Sequence, residues 1–139
     1  MKHPRRWLWL LVWVAAFAAV LTGCGQKTTF KKLTPPEAYQ LIQQRKDDPN
    51  FVILDVRTPE EYRMGHIPGA QNLDFYAPDF QQKLSQLPKD KTYFIYCNSG
   101  NRSGQTFEMM KRMGFKEVYD LQGGIQAWYQ GGYPVVTEN

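Results

Sequence analysis

One cysteine of the chain lies where a thiol is well placed for covalent chemistry. Residues 97–102 (CNSGNR) begin with Cys97, end with Arg102 and follow an apolar run at 92–96 that is typical of a β-strand. A strand, a short loop containing glycine and the first turn of a helix together form a place that binds anions. The helix N-terminus and the nearby Arg102 also favour the thiolate form of a cysteine. We therefore expect Cys97 to be a nucleophile toward anionic or sulfur-donating substrates.

A buried-strand pattern at residues 51–56 (FVILDV) carries a second group of polar residues at its end. Asp55 lies near the end of this run and Arg57 follows it. In an open parallel sheet, ligands bind beyond the carboxyl ends of the strands. Parallel pairing would bring Asp55 and Arg57 to the same edge as Cys97, which predicts one site built from two strands.

The elements that must hold this site predict a single α/β domain over residues 33–139 with a mostly parallel sheet. Capping boxes with proline at the first helical position, at residues 34–37 (TPPE) and 58–61 (TPEE), each predict the start of a helix. Further strands are predicted at 70–73 and 118–121, and further helices at 79–87, after the Cys97 loop up to Met113, and at 125–129.

The N-terminal residues have the composition of an export signal. Lys2, Arg5 and Arg6 precede the apolar residues 7–21, a run shorter than the roughly 20 residues that span a bilayer. The four residues 21–24 (LTGC) resemble the lipobox of bacterial lipoproteins, in which the cysteine carries lipid. This resemblance implies cleavage after residue 23, diacylation of Cys24 (palmitate among its chains), and a lipid-anchored tether at 24–32. An uncleaved N-terminal anchor is the alternative.

The resemblance also implies an exported protein on the periplasmic or extracytoplasmic face, in the cell membrane or the outer membrane. Gly25 follows this cysteine in place of the aspartate that is associated with inner-membrane retention, which keeps the outer membrane open as a destination. Removal of residues 1–23 lowers the formal net charge from +4 to +1, which predicts no nucleic-acid partner. Lys27, Lys31 and Lys32 could meet anionic headgroups or belong to an ordinary solvated linker. With Cys24 lipidated, Cys97 has no cysteine with which to form an internal disulfide.

Four motifs in order resemble the single-domain rhodanese family of sulfurtransferases. They are residues 55–62 (DVRTPEEY), 65–70 (GHIPGA), 97–103 (CNSGNRS), and 123–128, where a Gly-Gly pair precedes Ala-Trp. The similarity extends over residues 30–134. It implies a sheet of about five parallel strands flanked by helices.

The same resemblance implies a role for individual residues. Cys97 would form a persulfide after attacking a small sulfur-containing anion such as thiosulfate, or a persulfide donor, and would pass the sulfur to cyanide or a thiol. The substrate loop would be Asn98, Ser99, Gly100, Asn101 and Arg102, with Asp55, Arg57 and Ser103 in support. His66 would be a structural turn residue, with general base as the alternative role. This chemistry needs no metal or organic cofactor.

Two other functions are compatible with the same residues. A low-turnover persulfide carrier or binding module at the membrane would need the same loop. A Cys-dependent phosphatase or arsenate reductase would also place a cysteine and an arginine around an anion. Against the phosphatase, four residues separate Cys97 from Arg102 where that pattern has five, and Tyr96 occupies the position of its histidine.

Overall fold

The structure, a computed structural model, describes Gly23 and residues 25–138 of the chain. Five strands and five helices alternate along this part. Their bounds are β1 Thr29–Leu33, α1 Pro35–Arg45, β2 Phe51–Asp55, α2 Pro59–Met64, β3 Gln71–Asn72, α3 Phe80–Gln86, β4 Thr92–Tyr96, α4 Asn101–Arg112, β5 Glu117–Leu121 and α5 Gly124–Gln130. The predicted α/β class and the parallel sheet of five strands are confirmed.

The sheet has the order β1-β5-β4-β2-β3, and every neighbouring pair is parallel. β4 lies at the centre and is buried at all five positions. A strand that is buried at every position suits this place because helices cover both faces of a parallel sheet. The carboxyl end of β4, immediately before Cys97, therefore has β2 on one side and β5 on the other.

Two hydrophobic cores lie on the two faces of the sheet. On one face, Ala38 and Ile42 of α1 pack with Ile125 and Trp128 of α5. On the other, Phe80 of α3 and Phe107 of α4 belong to a cluster that includes Cys97. The two packed helices α4 and α5 thus approach the site from opposite faces.

The predicted tether at residues 24–32 is too long, because strand β1 begins at Thr29 and pairs with β5 along its whole length. Phe30 packs edge to face on Phe107 with ring centroids 5.3 Å apart. The sequence TFKKL lacks a strong strand signal because β1 is an edge strand with two exposed lysines. Pairing with β5 compensates for that weak local preference.

The predicted signal at residues 1–23 and the lipidated Cys24 lie outside the described residues, apart from Gly23. Among the residues that are described, no helix has the length and apolar character needed to cross a bilayer.

Candidate active site

The sulfur of Cys97 lies at the bottom of a loop that connects β4 to α4. The residue is 1% exposed, and the backbone N–H of Gly100 donates a hydrogen bond to its Sγ at 3.1 Å. Gly100 adopts a left-handed conformation with φ of 105°, which a residue with a side chain rarely adopts. The loop therefore turns a backbone donor toward the sulfur, an arrangement that suits negative charge at this position.

A second helix supports this loop from the opposite face of the sheet. The N–H groups of Ile125 and Gln126 donate to the carbonyl oxygens of Cys97 and Asn98 at 2.8 and 3.1 Å. A Cβ atom on Gly124 would lie 2.6 Å from the Cys97 oxygen and would overlap the Asn98 carbonyl. The pair Gly123-Gly124, which the sequence marks only as a turn, is thus required for close approach of α5 to the Cys97 loop.

Arg102 is part of an ion pair. Its two terminal nitrogens donate to the two carboxylate oxygens of Glu61 at 2.8 and 2.9 Å, and its guanidinium lies 5.3 Å from the Tyr76 ring centroid. The hydrogen bonds from Arg102 lower the pKa of Glu61 to about 2, and the same contact raises the pKa of Arg102. Arg102 thus ends the loop, and the carboxylate of Glu61 on α2 balances its charge.

Glu61 and Tyr76 are site residues that sequence reasoning missed. Glu61 looks purely local because it completes the capping box with Thr58, whose N–H and Oγ1 donate to Glu61 Oε2 at 2.9 and 3.1 Å. Tyr76 lies in the connection between β3 and α3 and is 66% exposed, without a pattern that marks it. Only the distance to Arg102 shows that either residue belongs to the site.

Asp55 and Arg57 form a buried ion pair beside the loop. Their side chains are 0% and 5% exposed, and Arg57 Nη2 lies 2.6 Å from Asp55 Oδ2. The same nitrogen donates to the carbonyl oxygen of Gly65 at 2.6 Å, and the guanidinium lies 5.6 Å from the Tyr96 ring centroid. Burial favours a lower pKa for Arg57, but Asp55 outweighs it and the pKa is raised.

Arg57 contacts Tyr96, the residue immediately before Cys97, so the pair lies beside the end of β4. Its hydrogen bond to Gly65 O also fixes the segment that follows α2. Within the described part of the chain, no hydrogen bond joins Asp55 or Arg57 to residues 98–102. The pair therefore positions the wall of the site, and its expected action on the loop runs through Tyr96.

His66 is engaged within its own turn. Its Nδ1 lies 2.9 Å from the carbonyl oxygen of Tyr62, and its ring stacks on the Tyr62 ring at 3.8 Å. Its backbone exchanges two hydrogen bonds of 2.9 Å with Val136. The imidazole is 4% exposed, so these contacts agree with a turn residue better than with a general base.

Ser103 begins a buried polar cluster behind the loop. Ser103 is 0% exposed and its hydroxyl faces Asp120 on β5, but neither Ser103 Oγ nor Asp120 Oδ1 has a hydrogen-bond partner among the described residues. Burial raises the pKa of Asp120 to about 6, and this rise is partly opposed by the neighbouring Ser103 hydroxyl and by Lys32 Nζ, which lies 3.9 Å from Asp120 Oδ2. The sequence predicted Ser103 as a supporting residue but gave no sign of its buried acidic neighbour.

Together these residues can hold and stabilise an anionic sulfur nucleophile. The thiol, the Gly100 N–H and the positive end of α4 converge, while Glu61 offsets the charge of Arg102. Within the described residues, no group of three His, Cys, Asp or Glu side chains converges as metal ligands would.

Comparisons with known proteins agree with one another. A family model described as a rhodanese-like domain matches residues 34–131. A sulfurtransferase from Allochromatium vinosum is 36% identical over 101 residues, which are 73% of this chain and 92% of that protein. The probable adenylyltransferase/sulfurtransferase MoeZ of Mycobacterium tuberculosis is 40% identical over 109 residues, 78% of this chain and 27% of MoeZ. The crystal structure of a rhodanese-related protein from Thermoplasma volcanium is 32% identical, with a TM-score of 0.67 over 78% of this chain and 100% of that one.

Proposed function

The chain belongs to the rhodanese-like domain family, and from this membership we propose that it transfers a sulfane sulfur through a persulfide on Cys97. The observation that carries the proposal is the Gly100 N–H directed at the Cys97 sulfur at 3.1 Å, at the N-terminus of α4. A backbone donor and a helix N-terminus stabilise negative charge on sulfur without a side-chain base. The mechanism therefore needs no general base, and His66 keeps a structural role in its own turn.

The reaction consists of two displacements at sulfur. The Cys97 thiolate attacks the outer sulfur of thiosulfate, the S–S bond of the donor breaks, and sulfite leaves with the electron pair. The persulfide then lies in the loop until cyanide or a thiolate attacks its outer sulfur, which regenerates the Cys97 thiolate and releases thiocyanate or a new persulfide. Because sulfite leaves before the acceptor reacts with the persulfide, the two displacements form a ping-pong sequence.

The loop favours sulfur over phosphate as the group that is transferred. With Glu61 bound to both terminal nitrogens of Arg102, the end-on edge of the guanidinium is occupied and its charge is balanced by a carboxylate, which weakens its attraction for a phosphoryl group. Asn98 adds no charge to the loop. The six-residue loop from Cys97 to Arg102 suits a single transferred sulfur atom better than a tetrahedral phosphoryl group, and this supports a sulfurtransferase.

The experiment is intact-mass analysis of the purified protein before and after thiosulfate, combined with steady-state formation of thiocyanate. A gain of one sulfur on the peptide that contains Cys97, and loss of turnover in Cys97→Ser at unchanged thermal stability, are the expected results. Retained turnover in Cys97→Ser would overturn the proposal. A stable persulfide with negligible turnover would instead identify a sulfur carrier.

We also propose that the chain is exported and attached to a membrane through lipid on Cys24. The basic, apolar and small residues of the first 24 positions support this placement. The expected mature protein begins at Cys24 with a diacylglyceryl group and partitions into detergent, whereas Cys24→Ala does not. A mature chain without lipid would contradict the anchoring and leave the sulfurtransfer chemistry unaffected.

A further inference from the structure

The amino ends of the strands form an edge of the sheet that lies opposite Cys97. We define the basic edge as residue 27 together with residues 45–50, 88–91 and 111–117, which precede β1, β2, β4 and β5. Hydrogen bonds join these segments into one surface. Thr29 N–H donates to Lys116 O at 2.7 Å, Lys116 N–H to Lys89 O at 3.1 Å, and Thr92 N–H to Asn50 O at 2.8 Å.

Charge is distributed unevenly between this edge and the remainder of the domain. The basic edge has eight Lys or Arg residues and four Asp or Glu residues. The remainder of residues 25–138 has six basic and nine acidic residues, so it has the opposite sign. The nearly neutral domain is therefore polarised along the strand direction, with the positive end away from the Cys97 loop.

Most of the positive charge on the basic edge is not engaged in ion pairs. Arg45 pairs with Asp48 at 2.7 Å, and Lys89 donates to the Ser85 and Leu87 carbonyl oxygens. Among the described residues, no salt bridge within 4.0 Å involves the other six. These are Lys27, Lys46, Lys91, Lys111, Arg112 and Lys116.

The chain enters the domain at this same edge. Because β1 is parallel to β5, Thr29 lies beside Glu117 at the amino ends of the strands. Only residues 25–28 separate Thr29 from Cys24, and five peptide steps reach about 17 Å when fully extended. A lipid on Cys24 would hold the bilayer surface next to the basic edge.

We propose that the basic edge rests on anionic phospholipid headgroups and directs the Cys97 loop away from the membrane. This inference depends on the anchoring proposed above. Clustered lysines and arginines close to an anionic surface are attracted to it over about one Debye length, and the short tether keeps them within that range. β4 adds about 13 Å between Thr92 and Tyr96, so the site opens toward soluble donors and acceptors.

The experiment is lysine acetylation by an N-hydroxysuccinimide ester on the mature chain in nanodiscs. One set contains equal parts of phosphatidylglycerol and phosphatidylcholine, and the other contains phosphatidylcholine alone. We expect Lys46, Lys91 and Lys116 to react about threefold more slowly in the anionic discs, and this protection to disappear in high salt. Lys83, 57% exposed on α3, is the internal reference and should react equally in both.

A matched pair of variants separates the surface from net charge. The double variant Lys46→Gln and Arg112→Gln should lose the protection of Lys116, whereas Lys31→Gln and Arg63→Gln together, with the same change in charge and with Lys83 kept as the reference, should retain it. Equal reactivity of Lys116 in both kinds of disc would overturn the inference.

Intact mass of the starting material shows whether Cys24 carries lipid, which separates failure of the anchor from failure of the surface. A chain without lipid is added to vesicles of the same two compositions, and the same acetylation measurement is made there. Protection of Lys116 only on anionic vesicles would support binding of the basic edge to anionic headgroups without the anchor. Absence of this protection would contradict both the anchor and the binding of the basic edge.

Discussion

Helices α1 and α2 begin with nearly the same four residues, but only α2 contributes to the site. Thr34 and Thr58 have φ and ψ of −66° and 158°, and −65° and 158°. In both helices the threonine N–H donates to the glutamate three residues later at 2.9 Å. Beyond this shared cap, the one side chain among residues 25–138 that pairs with Glu37 is the exposed Lys31 at 3.5 Å, whereas Glu61 binds Arg102 through both oxygens.

The order of the strands explains this difference. α1 follows the edge strand β1, which is separated from β4 by β5, whereas α2 follows β2, the direct neighbour of β4. The first turn of α2 therefore lies close to the loop that leaves β4, and its glutamate reaches Arg102. A local motif sets where a helix begins, and position in the sheet decides whether its side chains also serve the site.

The largest difference between the two caps should appear on neutralising the glutamates. Glu61→Gln removes the charge that holds Arg102, so we expect kcat/KM for sulfurtransfer to fall about tenfold and the free energy of unfolding to fall by about 2 kcal/mol. Glu37→Gln should change either quantity by less than about 0.5 kcal/mol, because its ion pair is exposed. Steady-state kinetics and denaturant unfolding of both variants measure this. Equal effects in the two helices would contradict the role of strand order.

Lowering the pH should remove the stabilising contribution of Glu61. The pKa of Glu61 is lowered from 4.5 to about 2 in the folded protein, so its stabilising contribution is complete above pH 4.5 and is lost as the pH falls toward 2. After discounting for its partly exposed side chain, this amounts to about 1–2 kcal/mol. The stability difference between wild type and Glu61→Gln should therefore shrink across that range. A difference independent of pH would show that the ion pair is not its source.

Asp120 should respond to pH with the opposite sign. Its pKa is raised from 3.8 to about 6, so between these values the folded protein holds a proton that the unfolded chain has lost. The free energy of unfolding contributed by this group therefore decreases as the pH rises from 4 to 6. We expect Asp120→Asn to remove that decrease and to be more stable than wild type by about 1 kcal/mol at pH 8. Lower stability at pH 8 would mean that attraction by Lys32 outweighs burial.

Sequence reasoning reached the fold because its strongest signals are local. The capping boxes, the apolar runs of β2 and β4 and the turn glycines each specify an element within a few residues. β1 escaped notice because its strand character depends on pairing with β5, more than eighty residues later in the chain. An edge strand with exposed lysines has little pattern of its own.

The candidate site shows the same division. Cys97 and its loop form one continuous segment, so the motif alone identifies them. The partners of that loop come from elsewhere: Glu61 from α2, Asp120 from β5 and Gly124 from α5. Each of these has a sufficient local explanation as a cap, a strand residue or a turn, and only the packed structure reveals its second contact.

The threonines of the two caps give the finest test of the comparison. Thr34→Ala and Thr58→Ala each remove a hydroxyl that donates to a glutamate, at 2.9 and 3.1 Å, and each should lower the free energy of unfolding by about 1 kcal/mol. Only Thr58 orients the carboxylate that binds Arg102, so we expect Thr58→Ala alone to slow sulfurtransfer, by about threefold. Parallel unfolding and turnover measurements check both statements. If Thr34→Ala slowed turnover equally, stability rather than the position of α2 would control the loop.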